Sequence, residues 1–160
     1  MGPKAPTTTS SAKRTRPKHP TPKPKAVQPR TKPEAVRPDQ VNLVRTKGTP
    51  GRGGGSGGEA WRIDVEAKRA GIVFINLIDE PPVGPHASIQ IYLNVPNQGR
   101  HIGRVAYRIA CEASSYDMIY AHMRKSNVAS RRAAEEAGFQ EDERPGHPQL
   151  LMVWRRHTPP

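Results

Sequence analysis

The clearest place for chemistry in this chain is Asn97-Gln98-Gly99-Arg100-His101-Ile102-Gly103, where a strand-like run passes into a helix-like one. Helix N-termini leave backbone N–H groups unpaired and carry partial positive charge, so a glycine-containing turn there forms a cradle for an anion. A diphosphate suits it, since each hydrogen bond to a charged oxygen contributes about 1.5–3 kcal/mol. Taken alone, a two-glycine loop is more often an ordinary strand-to-helix turn. No metal site is expected.

One helix and one strand further on comes Asn127-Val128-Ala129-Ser130-Arg131-Arg132-Ala133-Ala134-Glu135-Glu136-Ala137-Gly138-Phe139. In this order and at this spacing, the two segments resemble the acetyl-CoA-binding motifs of the GNAT N-acetyltransferase superfamily. There the first motif is Gln/Arg-x-x-Gly-x-Gly/Ala, and the second is Asn-x-x-Ser ending in Gly-Phe. With the preceding strand, the match covers residues 87 to 139. The resemblance implies acetyl-CoA as cosubstrate, its pantetheine arm paired with the backbone of Ile91, Tyr92 and Leu93. It implies a pyrophosphate held by Gln98, Gly99, Arg100, His101, Ile102 and Gly103, with Arg104 also at the cofactor. Asn127 and Ser130 would meet the pantetheine side, and Arg131 or Arg132 the nucleotide phosphates. Asn127 also reads as a plain helix cap, and the two arginines as a solvated helix face.

Two departures from the family pattern bear on this. His101 replaces the first glycine of the loop, where a left-handed backbone costs a side-chain-bearing residue roughly 1–2 kcal/mol, although histidine tolerates it better than most. Ala134 stands where many members carry a tyrosine that protonates the departing thiolate. Members acting on protein N-termini, with the similar ending Ala-Ser-x-x-x-x-Glu-x-x-Gly-Phe, often lack it too, leaving Tyr120, Ser130 or water. The nucleophile must be a neutral amine, with Asp79, Glu80, His86 or His122 as candidate general base, each with the plain alternative of a solvated loop or strand residue. A lysine side chain needs roughly 4–5 kcal/mol to be neutral at pH 7, and an α-amine only about 1.

The elements that position these groups follow from periodicity. Trp61–Glu66, Gly71–Ile78 and Ala87–Val95 read as strands, with Lys68–Gly71 as the turn between the first two. Ile102 to Ser115 reads as a helix, because Val105, Ile109 and Ala113 recur every four residues. Asp117–Met123 is a strand, and Val128–Ala137 a helix capped by Asn127 and stopped by Gly138. Phe139–Glu143 and Leu150–Arg156 supply two last strands. The expectation is a mixed α/β domain over residues 59–160: a mostly antiparallel sheet with two helices, of the acyl-CoA N-acyltransferase type.

Residues 1–58 hold 10 of the 18 prolines and 13 Lys and Arg against only Glu34 and Asp39, with no aromatic residue. Such composition cannot offset the roughly 1–2 kcal/mol per residue of ordering entropy, so a disordered basic tail ending in a glycine linker is expected. Its charge suits non-specific nucleic acid, without aromatics for base stacking. Cys111 is the single cysteine. Together with the absence of a long apolar run, this suggests a soluble, cytoplasmic protein. Family members place a strand and two helices, part of the acceptor floor, before the hairpin of residues 61–78. Here that region falls in the tail. Either the domain is minimal with an open acceptor side, or a second copy in a homodimer or another protein completes it, or acetyl transfer has been lost. The expected activity is acetyl transfer from acetyl-CoA to a primary amine on a protein N-terminus, a lysine or a small molecule. The alternative is a GNAT-like binding protein tethered to nucleic acid by its tail.

Overall fold

The computed structural model describes residues 2–6, 20, 22–23 and 31–157. Two compact units result, Met1–Thr31 and Lys32–Pro160. In the first, the described residues form no helix or strand, and most of the tail expected there lies outside the described residues.

Residues 32–58 correct the boundary expected at 59, because they belong to the folded unit. Strand β1 (Val41–Thr46) pairs antiparallel with β2 (Glu59–Val65) along its whole length, Val41 opposite Val65 and Thr46 opposite Ala60. Val36 and Val41 are buried in the core and Leu43 packs against it. An edge strand needs an apolar face on one side only, and Val41-Asn42-Leu43-Val44-Arg45-Thr46 supplies one despite its proline- and glycine-rich surroundings. The glycine segment that follows is no free linker. Asn76 accepts from the Gly53 N–H at 2.8 Å and donates to the Gly51 carbonyl at 2.8 Å.

The next hairpin corrects a second expectation. Its turn is Glu66-Ala67, both at positive φ (48° and 65°), the twist that two-residue hairpins favour. Lys68–Gly71 is instead the start of β3 (Lys68–Glu80). Gly71 lies within that strand because the β4 backbone comes so close: a Cβ there would sit 2.1 Å from the Tyr92 carbonyl oxygen. Strand β4 (Gly84–Leu93) pairs with β3 from Glu80 opposite Gly84 to Gly71 opposite Leu93.

Helix α1 (Ile102–Ala113) follows, then β5 (Met118–Met123), α2 (Val128–Glu136), the short β6 (Gln140–Glu141) and β7 (Leu150–Arg155). The seven strands form one sheet in the order β1-β2-β3-β4-β5-β7-β6, antiparallel except for β4 beside β5. This is the mixed, mostly antiparallel architecture with two helices that the sequence predicts. The strand expected at Phe139–Glu143 shrinks to two residues because Phe139 turns into the core, its ring 5.5 Å from that of Tyr107.

Helix α1 buries Ile102, Val105, Ala106, Tyr107, Ala110 and Cys111 as one stripe. They meet Ile63, Val73, Ile75, Ala87, Ile89, Ile119 and Ala121 of the sheet. Each fully buried aliphatic side chain contributes about 1.5–3 kcal/mol, which fixes the helix, and hence its N-terminus, against β4. The far end of α1 is held by Arg156, whose guanidinium donates to the carbonyls of Cys111, Glu112, Ser114 and Tyr116 and pairs with Asp117 at 2.9 Å. From β2, the buried Glu59 accepts from the hydroxyls of Ser114 and Ser115 at 2.9 and 3.0 Å. These contacts end the helix at Ala113, short of the expected Ser115.

Candidate active site

Parallel strands β4 and β5 share only two register positions, Ala87 with Ile119 and Ser88 with Tyr120. Beyond Ser88, β4 runs on to Leu93 paired with β3 alone, so Ile91 to Leu93 present a strand edge to the gap. A 3-10 turn, Val95–Asn97, then leads into the loop. The Gln98 N–H is consumed by the Val95 carbonyl at 3.2 Å. Gly99 has φ 73°, and His101, the N-cap residue, sits in the left-handed region at φ 60°, ψ 23° without a side-chain cap. Among the described residues, the amides of Gly99, Arg100 and His101 find no acceptor, and those of the first turn of α1 are unpaired by helix geometry.

These groups open on a cleft of about 640 Å³ between β4, α1 and α2. Ile91, Tyr92, Leu93, Gln98, Gly99, His101, Ile102, Gly103, Arg104, Asn127 and Ser130 all line it. Two expected residues do not. Arg100 is drawn to the segment before β1, its Nε donating to the Glu34 carbonyl at 3.1 Å while its own carbonyl accepts from the Val36 N–H at 2.9 Å. Arg131 is taken by Glu135 and Glu141 at 3.0 and 3.1 Å. Arg132 lines the cleft, and so do Tyr107, Ala129, Ala133 and Glu136, which sequence reasoning missed. A helical signal was available: Tyr107 lies four residues after Gly103, and Glu136 four after Arg132, on the same faces. Asn127 is also a cap, its Oδ1 accepting from the Ser130 N–H at 3.1 Å, which leaves its amide N–H groups for other partners.

The cleft suits a diphosphate nucleotide on more than shape. Arg104 Nε is buried without a hydrogen-bond partner among the described residues, although its Nη1 pairs with Glu136 at 3.1 Å. An orphaned cationic donor one turn into α1 is what a ligand oxygen would satisfy. Ala134 is fully buried, so its place in α2 faces the core rather than the cleft. Burial also pushes the Tyr107 hydroxyl up to about 12, so it stays protonated near neutrality.

Three of the six candidate acids and bases come together where β4 meets β5. His86 Nε2 and His122 Nε2 lie 2.8 Å apart, their rings stacked at 5.0 Å. The Tyr120 ring meets His86 edge-on at 5.1 Å. His86 Nδ1 is 2.6 Å from the Gly84 carbonyl. That oxygen can only accept, so His86 Nδ1 carries hydrogen. In the neutral pair His122 Nε2 then donates to His86 Nε2, leaving the His122 lone pair at Nδ1. Burial, and then His86, hold His122 below the ordinary imidazole value of 6.5, against smaller upward pulls from Gln149 and Glu80. Glu80, another candidate base, makes no side-chain hydrogen bond or ion pair among the described residues, and acts on His122 only through its charge. A second cleft of about 640 Å³ opens beside the pair, reaching His86 and Tyr120 from the β3–β4 turn. No group of three or more His, Cys, Asp or Glu able to hold a metal ion occurs among the described residues.

No protein-family model matches the sequence, and no curated protein matches it. Solved structures do. An acetyltransferase from Agrobacterium tumefaciens superposes with a TM-score of 0.50 at 21% identity, covering 62% of this chain and 62% of its own. The aminoglycoside acetyltransferase AAC(6')-Ib, solved with coenzyme A and kanamycin, gives 0.50 at 17% identity, covering 62% of this chain and 67% of its own. A spermidine N-acetyltransferase chimera from Vibrio cholerae and hSSAT gives 0.50 at 21%, covering 62% and 68%. This chain therefore spans less than two thirds of the first of these, and the likeness is one of fold.

Proposed function

We propose that this chain, whose fold is that of the GNAT N-acetyltransferases, moves an acetyl group from acetyl-CoA to a primary amine. The observation that carries the reading is the pair of unpartnered amides at Gly99 and His101, both residues lining a cleft floored by the free edge of β4. Acetyl-CoA would supply the activated carbonyl that the amine nitrogen attacks, with the CoA thiolate leaving. The amides and Arg104 hold diphosphate oxygens, and Ile91 to Leu93 pair with the pantetheine as a strand pairs with a strand. Asn127 donates to the same arm. The imidazole pair takes the amine proton at His122 Nδ1 through a relaying water, because His122 itself lines neither cleft, and a base held below 6.5 is unprotonated at neutral pH. Tyr120, against His86, returns a proton to the thiolate, the task that Ala134 cannot perform.

The test is thiol release from acetyl-CoA in the presence of a panel of amines. Turnover that disappears in Gly103→Glu, with the fold intact by circular dichroism, supports the reading. Absence of thiol release with every amine would remove it.

One observation favours a second reading, a GNAT-like body that binds without transfer. Strands β1 and β2 are joined by the loop from Lys47 to Gly58, where the family places two helices of the acceptor floor. In that case residues 1–31, with eight Lys and Arg and no acidic residue, would tether the body to nucleic acid. The binding would weaken steeply with salt and vanish when those residues are deleted.

A further inference from the structure

We propose that the second cleft receives the N-terminus of a polypeptide whose first residue is apolar. This inference rests on the acetyl-transfer reading and names its acceptor.

The walls of the cleft are Leu77, Ile78, Val83, Pro85 and Met118. Leu77 and Met118 are large apolar side chains left 50% and 46% exposed, an arrangement that marks a surface awaiting an apolar partner. The polar lining includes His86, Tyr120 and Asp79, the last with a charge complementary to an incoming ammonium. An apolar side chain beside a primary amine satisfies both halves of this lining.

Three further features separate an α-amine on a polypeptide from other amines. The base is weak, because burial and His86 keep His122 below 6.5. It can relieve an α-ammonium near 7.8, whereas a lysine ammonium near 10.4 is neutral about 400-fold less often at a given pH. Arg144, the cation of this cleft, is already engaged by Asp142, with Nε and Nη2 at 3.2 and 3.0 Å. Its charge is therefore not free to select the carboxylate of a single amino acid. The half-exposed rim at Leu77 and Met118 also leaves room for a chain to continue outward. In the reaction the α-amine gives one proton, through a relaying water, to His122 Nδ1 of the imidazole pair, and its nitrogen bonds to the acetyl carbon. The carbon–sulfur bond breaks, and the thiolate leaves protonated.

The test is kcat/KM for the full chain with acetyl-CoA and peptides of one sequence differing only in the first residue. Met, Leu and Phe are expected to exceed Asp, Gly and Lys by tenfold or more, within the reach of an apolar pocket. An N-terminally blocked peptide containing lysine should give no product. Leu77→Asp and Met118→Ser are expected to raise KM for the Met peptide about tenfold, with acetyl-CoA affinity by calorimetry unchanged. Turnover of polyamines or blocked lysine peptides at equal or higher rates would overturn the acceptor assignment and leave acetyl transfer standing. Absence of turnover with every amine would remove both.

Discussion

His122 combines a lone pair fixed at Nδ1 by the hydrogen-bond chain through His86 to Gly84 with a pKa held down by burial. A base is active when unprotonated. Turnover is therefore expected to rise with pH through an apparent pKa below 6.5 and to level off by neutrality, as a pH–rate profile would read. His122→Asn should cost roughly 10²–10⁴-fold in kcat, with acetyl-CoA affinity unchanged. In the first cleft, Glu136 places a carboxylate against Arg104 where phosphate oxygens would lie. Glu136→Gln is expected to tighten acetyl-CoA several-fold, measured by calorimetry, because it frees a cationic donor and removes a repulsion. The loop and the Asn127 cap were legible as residues because their signals are local. The His86–His122 contact was not, since the pair is 36 positions apart and meets only through the register of β4 on β5. The departures of Arg100 and Arg131 were likewise hidden, because each is claimed by a partner that the fold supplies.

Helix α1 aims its N-terminal amides at the cleft, so what anchors its far end matters to the site. Arg156 gathers two carbonyls of the last helical turn and two just beyond it, and its side chain is only 35% exposed. Arg156→Ala should destabilise by about 1–2 kcal/mol after discounting for solvent, a fall in Tm of roughly 3–8 °C by calorimetric scan. The two helices and the central strands were readable because their apolar periods are unbroken. Strand β1 was not. Its six residues lie between proline- and glycine-rich stretches, and composition averaged over residues 1–58 outweighed the alternation within Val41 to Thr46. The Glu66-Ala67 turn was missed for a related reason: neither residue is a usual left-handed one, and the register of β2 on β3 imposes the conformation.

At the scale of the whole molecule, the folded unit begins at Lys32 rather than at the change of composition near residue 59. Deleting residues 1–31 is expected to leave Tm within about 2 °C, whereas deleting 1–58 removes β1 and the buried Val36 and Val41, at a cost of several kcal/mol. Differential scanning of the two truncations separates these outcomes. The unit holds two clefts, one lined by Gly99, His101 and Gly103 with unpaired amides, the other by His86 and Tyr120. The coenzyme assignment stands on the first cleft. Calorimetric titration of the full chain with acetyl-CoA tests it directly. The expected result is saturable one-to-one binding at micromolar concentration, lost in Gly99→Asp and Gly103→Glu. Flat heats for the native chain, or binding indifferent to both substitutions, would contradict it.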